Sequence, residues 1–183
     1  MNDKDVLRTM TLEELWELFP INLVPYNSLW SEWAKREIKS LATLLSSFDP
    51  VINHIGSTAI PGIFSKPIVD ILVETYDSIR WENIIDIMEL NDYILMSRRE
   101  GRMSFNKGYT INGYAEKVFH IHFHIAGDRD EIIFRDFLIG NNSVAKEYER
   151  LKLSLLPRFR NDRDGYTMAK TEFVNKVLLR AKK

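Results

Sequence analysis

The sequence predicts an α+β protein in which a small mixed β-sheet is flanked by N-terminal and C-terminal helices. Helix-period apolar residues fill the chain up to Phe48, strand-like runs broken by Gly and Pro occupy most of 51–125, and helical patterns return after Asp128. Helices and strands grouped in this way, without regular βαβ alternation, are typical of α+β folds. The length of 183 residues suits one core, so we expect a single domain over 1–183, with residues 1–20 as an N-terminal helical extension.

The N-terminal part of the chain predicts two helices. Thr11 and Glu14 have the spacing of a capping box, which begins a short helix that Pro20 ends. A long helix follows over 30–48, because apolar residues recur there at spacings of three and four.

The middle of the chain predicts the sheet, and the C-terminal part predicts helices. Segments rich in β-branched and aromatic residues predict five strands, near 51–55, 67–74, 93–98, 102–107 and 117–125. An amphipathic pattern predicts one helix at 80–90, between the second and third strands. After Asp128 the apolar spacing predicts three helices, the second of which ends before Pro157.

The composition narrows the possible functions. The formal net charge of −1 gives no reason to expect binding to nucleic acid or to a membrane surface. The sequence contains no cysteine, which excludes a disulfide framework, a cysteine-ligated zinc site and a thiol nucleophile. No apolar run is long enough to span a membrane and no secretory signal is visible, so we expect a cytoplasmic protein. Nothing in the sequence indicates the oligomeric state.

A turn followed by an acidic strand is the first segment that can carry chemistry. Gly56 lets a ligand approach the backbone of this turn closely, and the N–H groups of the turn and the Ser57 hydroxyl can bind phosphate oxygens. Asp70 lies in an apolar strand, where an ionised carboxylate needs a partner such as a metal ion, Arg or Lys. The alternative is an ordinary tight turn followed by a carboxylate that faces water at a strand end.

Three histidines form the second such segment. His120, His122 and His124 alternate with apolar residues, which places all three imidazoles on one face of a strand. Same-face neighbours are about 6.6 Å apart along a strand, so two adjacent imidazoles can reach one metal ion. The alternative is a half-exposed strand whose polar residues simply face water.

These segments resemble the GrpB family, a branch of the polymerase-β-like nucleotidyltransferase superfamily. The resemblance is carried by HIGSTAIPG at 54–62, KPIVDILV at 66–73, the histidine strand, FRDFL at 134–138 and shorter matches between Leu23 and Lys170. It implies a nucleotidyltransferase-like fold in which Gly56, Ser57 and Lys66 bind the phosphates of a substrate. It further implies that Asp70 is the catalytic carboxylate and ligates a divalent metal ion.

One position departs from the active members of that superfamily. They carry a second carboxylate two residues after the first, where this chain has Leu72; Glu74 lies about 13 Å from Asp70 along the strand, too far to bind the same ion. If the histidine strand lies beside Asp70, its three imidazoles can complete the ligands of the metal. We therefore expect a divalent ion, Mn²⁺, Zn²⁺ or Mg²⁺, and the imidazole nitrogens favour Mn²⁺ and Zn²⁺ over Mg²⁺.

Several basic residues are weaker candidates. Arg98, Arg99 and Arg102 flank a predicted hairpin turn, where they either clamp an anion or form a solvated strand edge. Lys152, Arg163 and Lys170 match the family and are candidates for the open side of the cleft.

The leading functional hypothesis is a nucleotidyltransferase-like protein that binds a phosphate-bearing small molecule or nucleotide together with a divalent metal, and that transfers a nucleotidyl or phosphoryl group. The alternative is a non-catalytic nucleotide- or metal-binding regulatory module that has kept the fold and lost the chemistry. Leu72 favours the alternative, and the three aligned histidines favour a functional site.

Overall fold

The structure, a computed structural model, describes residues 3–183. In that range the helices are α1 (Asp3–Thr9), α2 (Leu12–Leu18), α3 (Leu29–Leu44), α4 (Trp81–Leu90), α5 (Asp130–Gly140), α6 (Asn142–Phe159), α7 (Arg163–Met168) and α8 (Thr171–Ala181). The strands are β1 (Val51–Ile55), β2 (Val69–Thr75), β3 (Ile94–Arg99), β4 (Arg102–Thr110) and β5 (Gly113–Ile125). Two 3₁₀ turns lie at Ser46–Phe48 and Ser57–Ala59.

The strands form one mixed sheet in the order β1-β2-β5-β4-β3. β2 and β5 run parallel, whereas the pairs β1–β2, β4–β5 and β3–β4 are antiparallel. The connection from β2 to its parallel neighbour β5 contains α4 and the β3–β4 hairpin, because parallel neighbours need a long crossover. The predicted α+β class, with helices before and after a mixed sheet, is confirmed.

One face of the sheet packs against α3 and α4 and forms the main core. Its buried members include Ile71, Val73, Phe105, Ile121 and Phe123 from the strands and Trp30, Leu41, Trp81 and Met88 from the helices. Burying one large apolar side chain stabilises the fold by about 1.5–3 kcal/mol, so this layer fixes the position of the sheet. Because strand side chains alternate between faces, Asp70 and the three histidines project from the opposite face.

The C-terminal helices pack against the loop that follows the 3₁₀ turn at Ser57–Ala59. Ile60 and Ile63 are buried against residues of α5, α6 and α8. The Lys146 ammonium on α6 donates to the Gly62 carbonyl at 2.7 Å. The segment between β1 and β2 is therefore anchored to helices from the far end of the chain.

The N-terminal helices lie at the other side of the sheet. Leu7, Phe19 and Ile94 are buried together, which attaches α1 and α2 to β3. The capping box predicted at the start of α2 is present, since Thr11 and Glu14 exchange side-chain and backbone hydrogen bonds.

Several boundaries differ from the predicted ones. The helix predicted over 30–48 ends at Leu44, before the 3₁₀ turn, and the last predicted helix is divided into α7 and α8. β5 begins at Gly113 rather than near Lys117, because the β4–β5 hairpin continues to a pairing of Thr110 with Gly113. α6 continues to Phe159 and contains Pro157 in its last turn, where the missing N–H removes only one hydrogen bond. None of the helices described between residues 3 and 183 combines the length and the apolar character that a membrane crossing needs.

Candidate functional site

A cleft of about 500 Å³ opens on the sheet face that carries Asp70 and the histidines. Its floor is formed by β2, β5 and β4. One wall is the Gly56-Ser57 turn with Lys66, a second is built from α6, α7 and the start of α8, and a third is built from α2. Segments from both ends of the chain therefore meet at this site.

The parallel pairing of β2 with β5 places Asp70 beside two of the histidines. Asp70 is in register with His120, and its Oδ1 lies 3.3 Å from His120 Nδ1 and 3.3 Å from His122 Nε2. One possible ligand atom from each of the three residues lies within 4.8 Å of the others. A set of one carboxylate oxygen and two imidazole nitrogens suits a transition-metal ion such as Mn²⁺ or Zn²⁺ better than Mg²⁺.

Asp70 keeps its negative charge in this environment. Burial works to raise the pKa of the Asp70 carboxyl group, but the hydrogen bonds with His120 and His122 outweigh burial and hold the pKa below its usual value. Asp70 is therefore ionised at neutral pH, as a metal-binding carboxylate must be.

A chain of hydrogen bonds orients His120. Its Nε2 lies 2.8 Å from the Tyr109 hydroxyl, and the Arg163 guanidinium donates to the oxygen of that hydroxyl at 2.9 Å. Burial lowers the pKa of His120 to about 4, so the ring is neutral at pH 7. With no metal bound, Nδ1–H donates to Asp70 and Nε2 accepts from the Tyr109 hydroxyl; the other tautomer, which donates Nε2–H to Tyr109, would present the Nδ1 lone pair to a metal ion. Metal-binding histidines typically have such an outer partner on the second ring nitrogen.

A β-bulge brings Tyr109 to His120. The register of β4 against β5 shifts between Lys107 and Tyr109, and the intervening Gly108 has φ +88°. A Cβ on Gly108 would lie 2.2 Å from the Lys117 carbonyl oxygen, so the bulge requires glycine. Sequence reasoning missed Tyr109, and the only local signal for it is the glycine that directly follows the strand predicted at 102–107.

Gly56 is required by the position of Asp70. It has φ +71° and ψ −173°, a conformation that residues with a side chain rarely adopt. A Cβ on Gly56 would lie 2.4 Å from Asp70 Oδ2 and 3.0 Å from Asp70 Cβ. The sequence prediction explained this glycine by the approach of a ligand; the structure adds that the Asp70 carboxylate itself occupies the space.

The rest of the predicted turn is held by side-chain contacts. The Tyr148 hydroxyl of α6 faces Ser57, and burial raises the pKa of Tyr148 to about 12, an effect that Ser57 works against. His54 Nε2 lies 3.0 Å from Thr58 Oγ1, and His54 does not line the cleft. Gly56 and Ser57 thus face the cleft, whereas the histidine of the same motif supports the turn.

Four cations surround Asp70, and we call them the cleft cations: Lys66, Lys152, Arg163 and Lys170. Lys170 Nζ lies 4.4 Å and Lys66 Nζ 5.9 Å from the centroid of the Tyr166 ring, and Lys152 Nζ lies 4.9 Å from that of Tyr148. Within residues 3–183 none of the four forms an ion pair, since Lys152 donates to the Phe64 carbonyl and Arg163 to a tyrosine hydroxyl. These side chains are held by tyrosine faces and neutral oxygens and not by ion pairs, although the charge of Asp70 acts on Lys66, Arg163 and Lys170.

Three of these side chains are lysines, which we call the cleft lysines, and their pKa values are lowered by burial among other positive charges. Burial and the neighbouring Lys170 ammonium lower the pKa of Lys66 to about 7 and that of Lys152 to about 7. Burial also lowers the pKa of Lys170 to about 8, although Asp70 works to raise it. An anion in the cleft would restore the charge of these lysines.

The position of the missing second carboxylate and the predicted ligand His124 both lie outside this group. Leu72 is fully buried between Ile55 and Ile132, so apolar packing fills the place of the second carboxylate. His124 shares the strand face but does not join Asp70, because it lies four residues beyond His120. It is buried instead beside α5, with Nδ1 3.9 Å from Asp128 Oδ2 and Nε2 3.7 Å from Glu131 Oε1. The structure therefore separates the three histidines into two clusters.

The hairpin arginines are also outside the cleft. Arg98 forms an ion pair with Glu82, and Arg102 forms ion pairs with Asp128 and Glu131. Because these two arginines already pair with carboxylates of this chain, their positions do not favour the binding of an external anion.

The sequence of this chain matches a family model and the sequences of several curated proteins. A family model described as GrpB protein matches residues 20–180. The glutamate-rich protein GrpB of Alkalihalophilus pseudofirmus is 33% identical over 168 residues, which cover 85% of this chain and 92% of that protein. A UPF0157 protein of Streptomyces coelicolor is 30% identical over 169 residues, which cover 90% of this chain and 86% of that protein.

Solved structures show the same fold. The crystal structure of the conserved protein GrpB from Enterococcus faecalis is 26% identical, has a TM-score of 0.74, and aligns with 87% of this chain and 96% of its own. The Cid1 poly(U) polymerase, in a structure bound to MgATP, is 11% identical with a TM-score of 0.51. That alignment covers 78% of this chain and 47% of the polymerase, and it extends the likeness of fold to a nucleotidyltransferase.

Proposed function

This chain belongs to the GrpB family, and we propose that it is a nucleotidyltransferase-like protein whose cleft binds a phosphate-bearing small molecule together with a divalent metal ion. The observation that carries the proposal is the charge of the cleft. Four cations, none of them ion-paired within the described range 3–183, line a cleft that has two carboxylates, Asp70 on the floor and Asp164 on the α7 wall. Phosphate oxygens accept several hydrogen bonds from such cations, so a ligand with more than one phosphate matches this excess of positive charge.

The metal part of the proposal rests on the donor set. Asp70, His120 and His122 would hold the ion, and Tyr109 supplies the outer hydrogen bond that fixes the His120 ring. When bound, the ion supplies Lewis-acid polarisation of a phosphoryl oxygen. Because Leu72 replaces the second carboxylate, these residues provide for one ion. In two-metal enzymes a second ion neutralises part of the phosphate charge. Here the cleft cations would take that role.

Nucleotidyl or phosphoryl transfer is the reaction that this arrangement supports. In nucleotidyl transfer the acceptor hydroxyl gives up its proton to water or to a base, and its oxygen bonds to the α-phosphorus while the bond to pyrophosphate breaks. Pyrophosphate leaves with the electron pair. Cations around the phosphates stabilise the charge that develops on the leaving group. A non-catalytic binding module is the second candidate. It is favoured by Leu72, whose apolar surroundings leave no place for a second metal-binding carboxylate.

Calorimetric titration with inorganic tripolyphosphate and with ATP, each in the presence of Mn²⁺, tests the binding proposal. Lys66→Met and Lys170→Met should each weaken binding about tenfold or more, because a hydrogen bond to a charged group contributes about 1.5–3 kcal/mol. Lys176→Met is the matched control, since Lys176 pairs with Glu172 on the exposed surface of α8. Wild-type protein that binds neither compound would contradict the proposal.

Product analysis separates transfer from binding. The wild type is incubated with radiolabelled nucleoside triphosphates and Mn²⁺, and released pyrophosphate and labelled products are measured. Turnover that Asp70→Asn abolishes supports a transferase. Tight binding without any turnover supports the non-catalytic module.

A further inference from the structure

A second group of possible metal ligands lies where β5 leads into α5, outside the cleft. His124 is near the end of β5, Asp128 is in the connection that follows, and Glu131 is in the first turn of α5. One possible ligand atom from each of the three lies within 4.8 Å of the others. None of the three lines the cleft that contains Asp70. We call these three residues the β5–α5 cluster.

Two polar atoms of the β5–α5 cluster are buried without a hydrogen bond. His124 is only 3% exposed, and its Nδ1 has no hydrogen-bond partner among the described residues 3–183. Glu131 Oε2 is likewise buried and unpartnered within that part of the chain. Such atoms are unfavourable, because each has lost its hydrogen bonds to water and gained none in return. A ligand that both residues can bind would remove this cost.

The spacing of the donor atoms is that of a metal site rather than of direct hydrogen bonds. His124 Nδ1 lies 3.9 Å from Asp128 Oδ2, and His124 Nε2 lies 3.7 Å from Glu131 Oε1. Both separations exceed the range of an N–H···O hydrogen bond, which ends near about 3.2 Å. Two ligands of one tetrahedral Zn²⁺, each about 2.0–2.2 Å from the ion, are about 3.3–3.6 Å apart. The carboxylates therefore have to move by about 1 Å at most, and their side chains are half-exposed and free to do so.

Arg102 of β4 faces the two carboxylates of the cluster. Its guanidinium forms ion pairs with Asp128 and, at 3.6 Å, with Glu131 Oε1. The Arg102 side chain is 51% exposed, so water screens these pairs and they stabilise the fold little. One guanidinium offsets one of the two carboxylate charges and does not hydrogen-bond His124 Nδ1. A divalent ion would offset both charges and bind the imidazole as well.

We propose that the β5–α5 cluster is a second metal site, which binds a divalent transition-metal ion and joins the sheet to α5. One imidazole nitrogen and two carboxylate oxygens suit Zn²⁺ or Mn²⁺ better than Mg²⁺, and Zn²⁺ binds such donors more tightly than Mn²⁺ does. Three protein donors leave a position for water or for the second oxygen of a carboxylate. The inference goes beyond the proposed function and does not depend on it, since its ligands lie outside the cleft.

An ion at this site would fix the start of a helix that supports the cleft from behind. Ile132, directly after Glu131, packs on Leu72 of β2. One turn further along α5, the Arg135 guanidinium donates to the His54 carbonyl of β1 at 2.7 Å. The second metal therefore stabilises the packing of α5 on β1 and β2 without contacting the ligand of the cleft.

Calorimetric titration of the full chain with Zn²⁺ alone counts the sites. The wild type should bind two ions, one in the cleft and one at the β5–α5 cluster. Asp70→Asn removes the cleft ligand and should leave one ion, which should be lost when Asp128→Asn is added. Glu131→Gln should weaken this ion by at least the roughly tenfold that even outer partners of a metal contribute. Asp130→Asn is the matched control, because Asp130 lies at the same helix start but pairs with Lys182.

Two further measurements show that the ion binds the folded cluster. In Asp70→Asn, free Zn²⁺ at about a hundred times its Kd should raise Tm by about 5–10 °C, and added Asp128→Asn should abolish the rise. Arg102→Gln removes the competing cation and should strengthen Zn²⁺ binding about two- to fivefold. Asp128, Glu131 and Arg102 are not buried, so these variants are expected to fold, and melting curves without metal check this.

The outcomes distinguish this inference from the metal part of the proposed function. A wild type that binds one Zn²⁺, lost in Asp70→Asn and kept in Asp128→Asn, would overturn the second site and leave the cleft site standing. One Zn²⁺ that is kept in Asp70→Asn and lost in Asp128→Asn would support the second site and contradict the cleft site. If the wild type binds no Zn²⁺, both metal sites are refuted.

Discussion

Gly56→Ala is the substitution that tests the geometry of the site most directly. The added methyl would lie 2.4 Å from Asp70 Oδ2 and 3.0 Å from Asp70 Cγ, so the carboxylate has to turn away from His120 and His122. The backbone at φ +71° and ψ −173° adds strain of about 1–3 kcal/mol for alanine. Loss of charge-assisted hydrogen bonds at Asp70 adds about 1–3 kcal/mol. Together these give an expected loss of about 2–6 kcal/mol in the free energy of unfolding.

Gly62→Ala separates the two contributions. Gly62 has a comparable φ of +77°, but a Cβ there meets no atom within 4 Å, so alanine brings strain without a collision. For a chain of this size 1 kcal/mol shifts Tm by about 2–4 °C, and Gly56→Ala should therefore lower Tm by several degrees more than Gly62→Ala does. Mn²⁺ affinity, measured by calorimetry, should fall at least tenfold in Gly56→Ala and stay unchanged in Gly62→Ala. Equal melting temperatures and equal Mn²⁺ affinities in the two variants would refute the reasoning.

Four further predictions concern the cleft and the strand that carries Asp70. Between pH 7 and 9 the affinity for tripolyphosphate should fall, because the cleft lysines, whose pKa values are about 7 to 8, lose the protons that attract the anion; a pH-independent affinity in calorimetry would contradict this. Over the same range the free protein should become more stable to urea, since the unfolded chain then binds more protons at these lysines than the folded chain does. Tyr109→Phe should weaken Mn²⁺ binding about 10- to 100-fold with the fold intact, whereas the exposed Tyr76→Phe should bind as the wild type does. Leu72→Asp should lower the free energy of unfolding by more than about 4 kcal/mol, because it buries a carboxylate in apolar packing. Val51→Asp, at an exposed strand position, is the control and should lower it by far less. Similar melting temperatures of the two variants would contradict the tight packing around Leu72.

Strand alternation made part of the site predictable. Period-two patterns indicated that Asp70 and the histidines each lie on one face of a strand, and the structure shows those faces. The pattern did not indicate which histidine lies beside Asp70. That depends on the register of two strands that are about 50 residues apart along the chain, as the hydrogen-bonded pair of His122 and Asp70 illustrates.

The separation of His124 shows the same limit. Its position in the alternating pattern equals that of His120 and His122, and the sequence therefore suggested one ligand set. In the structure Asp128, just before α5, and Glu131, in its first turn, lie beside it. The docking of a helix, and not the strand pattern, decides what each imidazole contacts.

The sequence by itself determined the elements, the apolar faces and the family of this protein, because helix and strand periods, turn residues and the strings at 54–62 and 66–73 are local properties. Only the tertiary structure decided that Lys66, Lys152, Arg163 and Lys170 surround Asp70, and that α2 closes the cleft with an apolar wall. The physical reason is that local periodicity fixes the direction of a side chain relative to its own element. The place where that element docks is fixed by burial of the non-local clusters that join it to the sheet.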